Sequence, residues 1–342
     1  MNCIDADALR AQAANLGFTR VRFTTIDGEA PGIQHYDDFL AAGRHAGMDW
    51  MVRGRDARAD PAGRVPAGLT AVALGIEYGG PRPADPGGLT GKVARYAWGR
   101  DYHNVVGRRV RKLVKALSRQ GVRAYGGVDS RPLIERAWAE QAGLAYLGRN
   151  CCAIIPGQGS YIFLAVILVD VALAPDPPMA TLSRHCGTCR RCLDSCPTDA
   201  FVGTGQLDAR RCISYWTIEH RGVIPADLWS NFGRWVFGCD ICQEVCPHNH
   251  APRSDIEAAF RPLPGRAWLD LEWVLDARPD ALSAALEGSP LRRPGPQGLK
   301  RNAAIALGNL NDAAARAVLI RAAARPDPVV AHHARAALDR IG

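Results

Sequence analysis

The stretch CGTCRRCLDSCPTDA (residues 186–200) decides how this chain of 342 residues is read. Its cysteines, Cys186, Cys189, Cys192 and Cys196, run C-x2-C-x2-C-x3-C-P, with Pro197 closing the pattern. In that spacing three thiolates wrap one [4Fe–4S] cube while the fourth reaches a second cube. A later run, Cys239, Cys242 and Cys246 with Pro247, has only three cysteines, and Cys212 stands as the missing one. Crossing the ligands puts one cluster on Cys186, Cys189, Cys192 and Cys246, and the other on Cys196, Cys212, Cys239 and Cys242. Two cubes then use these cysteines with none left over.

Zinc and disulfides explain the pattern less well. Four-cysteine zinc sites pair two C-x2-C knuckles, which leaves the three-cysteine run and the trailing C-P without a purpose. Disulfides belong to secreted chains, and the start, MNCIDADALRAQAANLGF, has no basic region followed by an apolar stretch. The longest apolar run, residues 161–169, ends at Asp170, well short of the roughly 20 residues that span a bilayer. The expectation is a soluble cytoplasmic monomer with no membrane partner. The formal charge of +8 falls to roughly +4 once two oxidised cubes bring about −4. That is modestly basic, compatible with a polyanion and also ordinary for an Arg-rich chain.

Outward from the cysteines the chain divides into three stretches. Residues 1–178 read as an α/β unit, with strands expected over 70–78, 123–128, 151–155 and 160–173. Helices are expected over 104–120, amphipathic with a basic outer face, and over 132–142, with Asp129 or Ser130 as its N-cap. The Pro175-Asp-Pro-Pro178 linker separates this unit from residues 179–255, a ferredoxin-like module. The insertion inside that module carries Tyr215, Trp216, Trp229, Phe232, Trp235 and Phe237, read as core packing around the clusters. Residues 256–342 end in three helical segments. Asn311 and Asp312 divide the first two, and Asp327-Pro328 starts the third. One HEAT-type repeat plus a capping helix matches that pattern.

Two cubes in one module form an electron wire, and the large N-terminal stretch argues for a catalytic partner at its end. The residues there leave alternatives open. Asp129 in GGVDSRPL is a general acid or a helix cap. Tyr102 and His103 in GRDYH are proton donors or turn residues. Arg58 in RADP holds an anion or a local ion pair. Cys151 and Cys152 are reactive or simply packed. No dinucleotide-binding or phosphate-loop glycine pattern appears.

Several motifs together resemble one family across essentially the whole chain. These are RADP from Arg58, YAWGRDYH from Tyr96, VDSRPLIERAWAEQAGL from Val128 and GSYIFLAVIL from Gly159. They continue with the two cysteine runs, QLDARRCISYWTIEHRG from Gln206 and LKRNAAIALGN from Leu299. The family is epoxyqueuosine reductase, which performs the last step of queuosine synthesis in tRNA. The resemblance implies an α+β multidomain fold: a nitroreductase-like α/β cobalamin-binding domain, a ferredoxin-like domain with two [4Fe–4S] clusters and a C-terminal HEAT-like helical element. It implies base-off cobalamin, an external low-potential electron donor, and tRNA carrying epoxyqueuosine in the anticodon loop as substrate. By similarity Asp129 is the proton donor, its pKa expected to be raised by burial. Arg58, Asp129, Ala153, Leu164, Ser214 and Asp240 fall at cobalamin contacts. His220, Arg221, Lys300, Arg301 and Asn302 fall at the tRNA-facing element. The competing readings are a reductive dehalogenase-like corrinoid enzyme acting on a small molecule and a noncatalytic electron-transfer subunit.

Overall fold

The computed structural model describes residues 4–178, 185–250 and 255–341. Three of the expected strands and one that was not expected, Arg20–Thr25, form a four-stranded sheet in the order Arg20–Thr25, Thr70–Glu77, Ile162–Val169, Ala124–Gly127. Every neighbouring pair is antiparallel, so the N-terminal unit is an α+β layer and lacks the parallel strand-end crevice of doubly wound folds. The Thr70–Glu77 strand is buried along its whole length, because helices cover both faces. Val72, Leu74 and Ile76 turn to one side and meet Val106, Val110, Leu113 and Leu117 of the helix Tyr102–Arg119. Ala71 and Ala73 turn to the other, where small side chains let the helix Glu135–Gln141 approach through Trp138 and Ala139. The period-two alternation assigns the two faces.

Two local expectations change. The 132–142 helix begins only at Glu135, and neither Asp129 nor Ser130 caps it. Asp129 instead has φ +51, and its own N–H donates to the Glu135 carboxylate at 2.7 Å. The 151–155 strand shrinks to Ala153–Ile154, since Cys151 takes a left-handed turn at φ +62.

A second, three-stranded sheet joins Trp235–Phe237, Thr90–Val93 and Trp268–Asp270. One strand comes from each of the three stretches of sequence, so the breaks near 178 and 255 do not separate independent cores. The largest apolar cluster runs from Val93 and Trp98 through Val236 and Phe237 into Leu299, Ala303, Leu307 and Ala334. Trp229, Phe232 and Trp235 pack in a neighbouring cluster with Ile305, as expected of the insertion's aromatics.

The tail forms the helices Gly295–Leu310, Ala313–Ala323 and Pro328–Ile341. Asn311 ends the first in the left-handed region, and the Asp312 and Asp327 carboxylates accept the first N–H groups of the next two. The Gly295–Leu310 helix has almost no exposed face: Gly298 to Gly308 are all buried. No helix among the described residues is long and apolar enough to cross a membrane.

Candidate active site

Asp101 caps the helix Tyr102–Arg119 by accepting the His103 N–H at 2.9 Å, and this cap positions a chain of proton carriers. The same Asp101 Oδ1 lies 2.8 Å from His103 Nδ1, and His103 Nε2 lies 3.1 Å from Asp129 Oδ2. Tyr102 donates its phenolic hydrogen to that oxygen at 2.5 Å, with its ring stacked on Phe163 at 4.5 Å. Asp129 keeps its side chain 60% exposed, so the chain ends at an open carboxylate.

The electrostatics correct the expectation for Asp129. Although its side chain is reached by solvent, the protein crowded around it partly desolvates the carboxyl and pushes it up, but the hydrogen bonds from His103 and Tyr102 and the His103 and Arg293 charges outweigh this and hold the group below the usual carboxylate range. The proton resides one step back. Burial pulls His103 down, yet Asp101 and Asp129 on its two nitrogens raise it to about 9. Glu135, behind the Asp129 amide, rises to about 8 through burial and the Asp129 charge. Arg293 reaches this region from the tail, paired with Glu219 at 2.9 Å; neither residue carried a motif that singled it out.

Of the other expected contacts, Ala153 and Leu164 come together in one apolar cluster, where Leu147 and Leu164 stay partly uncovered. Arg58 donates to the Gly54 carbonyl at 3.0 Å and lies between the Tyr36 and Trp50 rings. Ser214 sits beside Cys212 and hydrogen-bonds its sulfur. Asp240 turns inward at 2% exposure, accepting the Arg95 N–H at 2.6 Å with Arg82 3.7 Å away. Burial raises its pKa to about 6, and its carboxylate faces no open cleft.

Lys300, Arg301 and Asn302 do not face a tRNA. They are 4%, 1% and 1% exposed, because their positions lie on the inner side of the central tail helix. Lys300 donates to the Leu275 carbonyl at 2.8 Å. Arg301 donates to the carbonyls of Trp216, His220 and Gly222, and Asn302 to those of Thr217 and Val236. His220 and Arg221 meet this knot from the other side. His220 Nε2 lies 2.9 Å from the Val223 carbonyl, and Arg221 donates to the carbonyls of Ile218, Glu219 and Arg293.

Cys186, Cys189, Cys192 and Cys246 line one cavity. Around it Tyr146 Oη, His185 Nε2 and Arg149 Nε are buried with no oxygen or nitrogen partner, and the Tyr146 ring stacks on His185 at 4.3 Å. Orphaned donors facing four thiols fit a cluster whose sulfurs accept them. Cys196, Cys212 and Cys239 lie close enough to influence one another's charge. Burial pushes the Cys212 and Cys239 thiols up, with Cys196 adding to both. Cys242 hydrogen-bonds Cys152, a further thiol that spacing did not connect to the clusters. All the described cysteines are free, and no three His, Cys, Asp or Glu side chains among the described residues converge on a single-ion site. Replacing Tyr146 with phenylalanine should lower the midpoint potential of the first cluster, on the order of tens of millivolts, in an EPR-monitored titration.

Comparison with known proteins adds the rest. Residues 185–249 match the model of a 4Fe-4S double cluster binding domain, and residues 58–130 match that of epoxyqueuosine reductase QueG, DUF1730. An epoxyqueuosine reductase from Pseudomonas aeruginosa is 41% identical over 313 residues, covering 89% of this chain and 85% of its own. The chain belongs to the epoxyqueuosine reductase family. A relative of that name from Synechocystis is 38% identical over 84% of this chain and 98% of its own length. Among solved structures, an epoxyqueuosine reductase crystallised with an epoxyqueuosine-modified tRNA-Tyr stem loop superposes with a TM-score of 0.91. It is 30% identical, over 98% of this chain and 90% of that one. The Streptococcus thermophilus epoxyqueuosine reductase gives a TM-score of 0.87 at 27% identity, over 100% of this chain and 90% of that one. The mixed helix and sheet architecture with its ferredoxin-like cluster module is therefore that of epoxyqueuosine reductases.

Proposed function

We propose that this chain reduces epoxyqueuosine to queuosine in the anticodon loop of tRNA, the last step of queuosine synthesis. The observation that carries the reading is the open Asp101–His103–Asp129–Tyr102 chain in the same molecule as a two-cluster module. The relative crystallised with a modified tRNA stem loop supports the substrate class. The net reaction turns an epoxide into an alkene and water, consuming two electrons and two protons. We assign 1–178 to cofactor binding and catalysis, 179–255 to the clusters and 256–342 to a HEAT-like element on the tRNA side, in a cytoplasmic monomer served by an external low-potential donor.

The clusters take the crossed ligand sets, with the Cys196, Cys212, Cys239 and Cys242 cube nearer the reacting centre. Cobalamin is the further cofactor this reading calls for, and the uncovered Leu147 and Leu164 beside Ala153 fit an apolar ring better than open solvent. Arg58 at its stacked position and the backbone at Ser214 and Asp240 would complete its surroundings. When bound, a low-valent cobalt supplies the reducing power that opens the epoxide. The chain's own residues then manage protons. His103, charged at neutral pH, supplies one through Asp129 to the departing oxygen, and Tyr102 steadies the carboxylate between transfers. The target base must leave the stack of its loop to reach Asp129.

The test is an anaerobic assay with epoxyqueuosine-containing tRNA, cobalamin and a low-potential reductant, with nucleosides resolved by mass spectrometry. No conversion with full cluster content would refute the reading. The pH profile is expected to carry an alkaline limb near the His103 value of about 9, because turnover needs the protonated imidazole. The sign follows from a pKa raised above its unfolded value near 6.5: the stabilisation is complete below that value and disappears as pH rises through about 9. His103→Gln should remove the limb.

A further inference from the structure

We infer that an acidic one-electron carrier protein docks over the first cluster site, on the arginine rim of the cavity that opens onto Cys186 and Cys189. The inference rests on the two-cluster reading above and names the partner it leaves open. The cavity measures about 720 Å³ and is bordered by Arg190, Arg191 and Asp194, while Arg149 lines its inner pocket. Arg149 faces the cube and offsets part of its charge of about −2, while Arg190 and Arg191 are exposed at the outer edge, nearest an approaching partner, with Asp194 as the one carboxylate among the lining residues. The Arg190–Asp194 pair spans 3.3 Å with side chains 61% and 60% exposed, so water screens it and it neutralises little. Arg149 donates to Thr204 Oγ1 and the Gly187 carbonyl, neither of them an anion, and so keeps its charge while bracing the loop that carries Cys186 and Cys189.

A cationic rim raises the encounter rate of an anionic partner by about 10–10³ and does so in a salt-dependent way. Electron-transfer complexes are small and short-lived, so a few charges suffice to orient one. The proton chain at Asp129 uses none of these residues. Each encounter moves one electron: the carrier is oxidised by one and the first cube passes from [4Fe–4S]2+ to [4Fe–4S]+, with no bond or proton moving. Two encounters supply the two electrons of the proposed reduction.

The experiment mixes the holoenzyme anaerobically with a reduced plant-type [2Fe–2S] ferredoxin and follows cluster bleaching by stopped flow. The second-order rate constant is expected to fall about tenfold or more as salt screens the rim. Arg190→Glu with Arg191→Glu should slow the ferredoxin reaction by a similar factor while reduced methyl viologen, a small cation, reacts at least as fast. Arg190→Lys with Arg191→Lys should retain the ferredoxin rate. A salt-independent rate in the unmodified enzyme, or an unchanged ferredoxin rate in the charge-reversed variant, would overturn the inference. Loss of tRNA affinity with an unchanged ferredoxin rate would assign the rim to RNA instead. If the charge-reversed variant loses iron, the salt titration of the unmodified holoenzyme decides. An iron content of about four per chain instead of about eight would count against the two-cluster reading and not the docking face.

Discussion

Replacing Asp129 with asparagine is expected to lower turnover by about 10²–10⁴-fold, the range over which a positioned proton donor acts, while both clusters stay bound. The substitution isolates the proton. Asparagine tolerates the left-handed backbone that Asp129 adopts at φ +51, and it still accepts the Tyr102 hydrogen bond. What it cannot do is relay a proton from His103. Losing the Asp129 charge also removes one of the two carboxylates that raise His103, so the imidazole pKa should move down. Iron content and the cluster EPR signals check integrity, single-turnover kinetics check the chemistry, and near-normal turnover would remove Asp129 from the mechanism.

A chain ending before Gly295 is expected to yield no soluble folded protein, which is a stronger outcome than weakened tRNA binding. The Gly295–Leu310 helix fills the largest apolar cluster, with Leu299, Ala303 and Leu307 at 1%, 0% and 0% exposure. It also satisfies polar groups far away in sequence. Arg301 alone serves three carbonyls of the 216–222 segment, and burial lowers its pKa to about 10. Arg301→Ala is the graded form of the same test. It strands those carbonyls in the interior and should cost about 3–5 kcal/mol, read as a lower denaturation midpoint. Lysine should not rescue it, since an ammonium cannot span three diverging carbonyls as a guanidinium does. A soluble, cluster-loaded truncation would show that the helix is peripheral.

The misreading of Lys300, Arg301 and Asn302 has a physical cause. Consecutive charged and polar residues at a helix start ordinarily face water, and helical spacing alone does not reveal that the other side of the helix is also covered. Asp129, Tyr102 and His103 were each visible, but their meeting was not. His103 lies 26 positions before Asp129, at the start of a helix whose cap, Asp101, happens to present the imidazole to the loop after another strand. The protonation state followed from that meeting and reversed the expectation for Asp129. Cys152 likewise gained a neighbour, Cys242, only through folding.

The cysteine spacing by itself determined the cofactor class, because cube geometry is local and demands thiolates at fixed short intervals. Runs rich in Val, Ile and Tyr between Gly and Pro marked three of the four strands of the first sheet, but not Arg20–Thr25 nor the short strands of the second sheet. Only the tertiary structure decided which charged residues are exposed, where the proton waits, and that three stretches of chain share one sheet. Burial and pKa depend on what packs against a side chain from elsewhere in the sequence, and no local pattern contains that information.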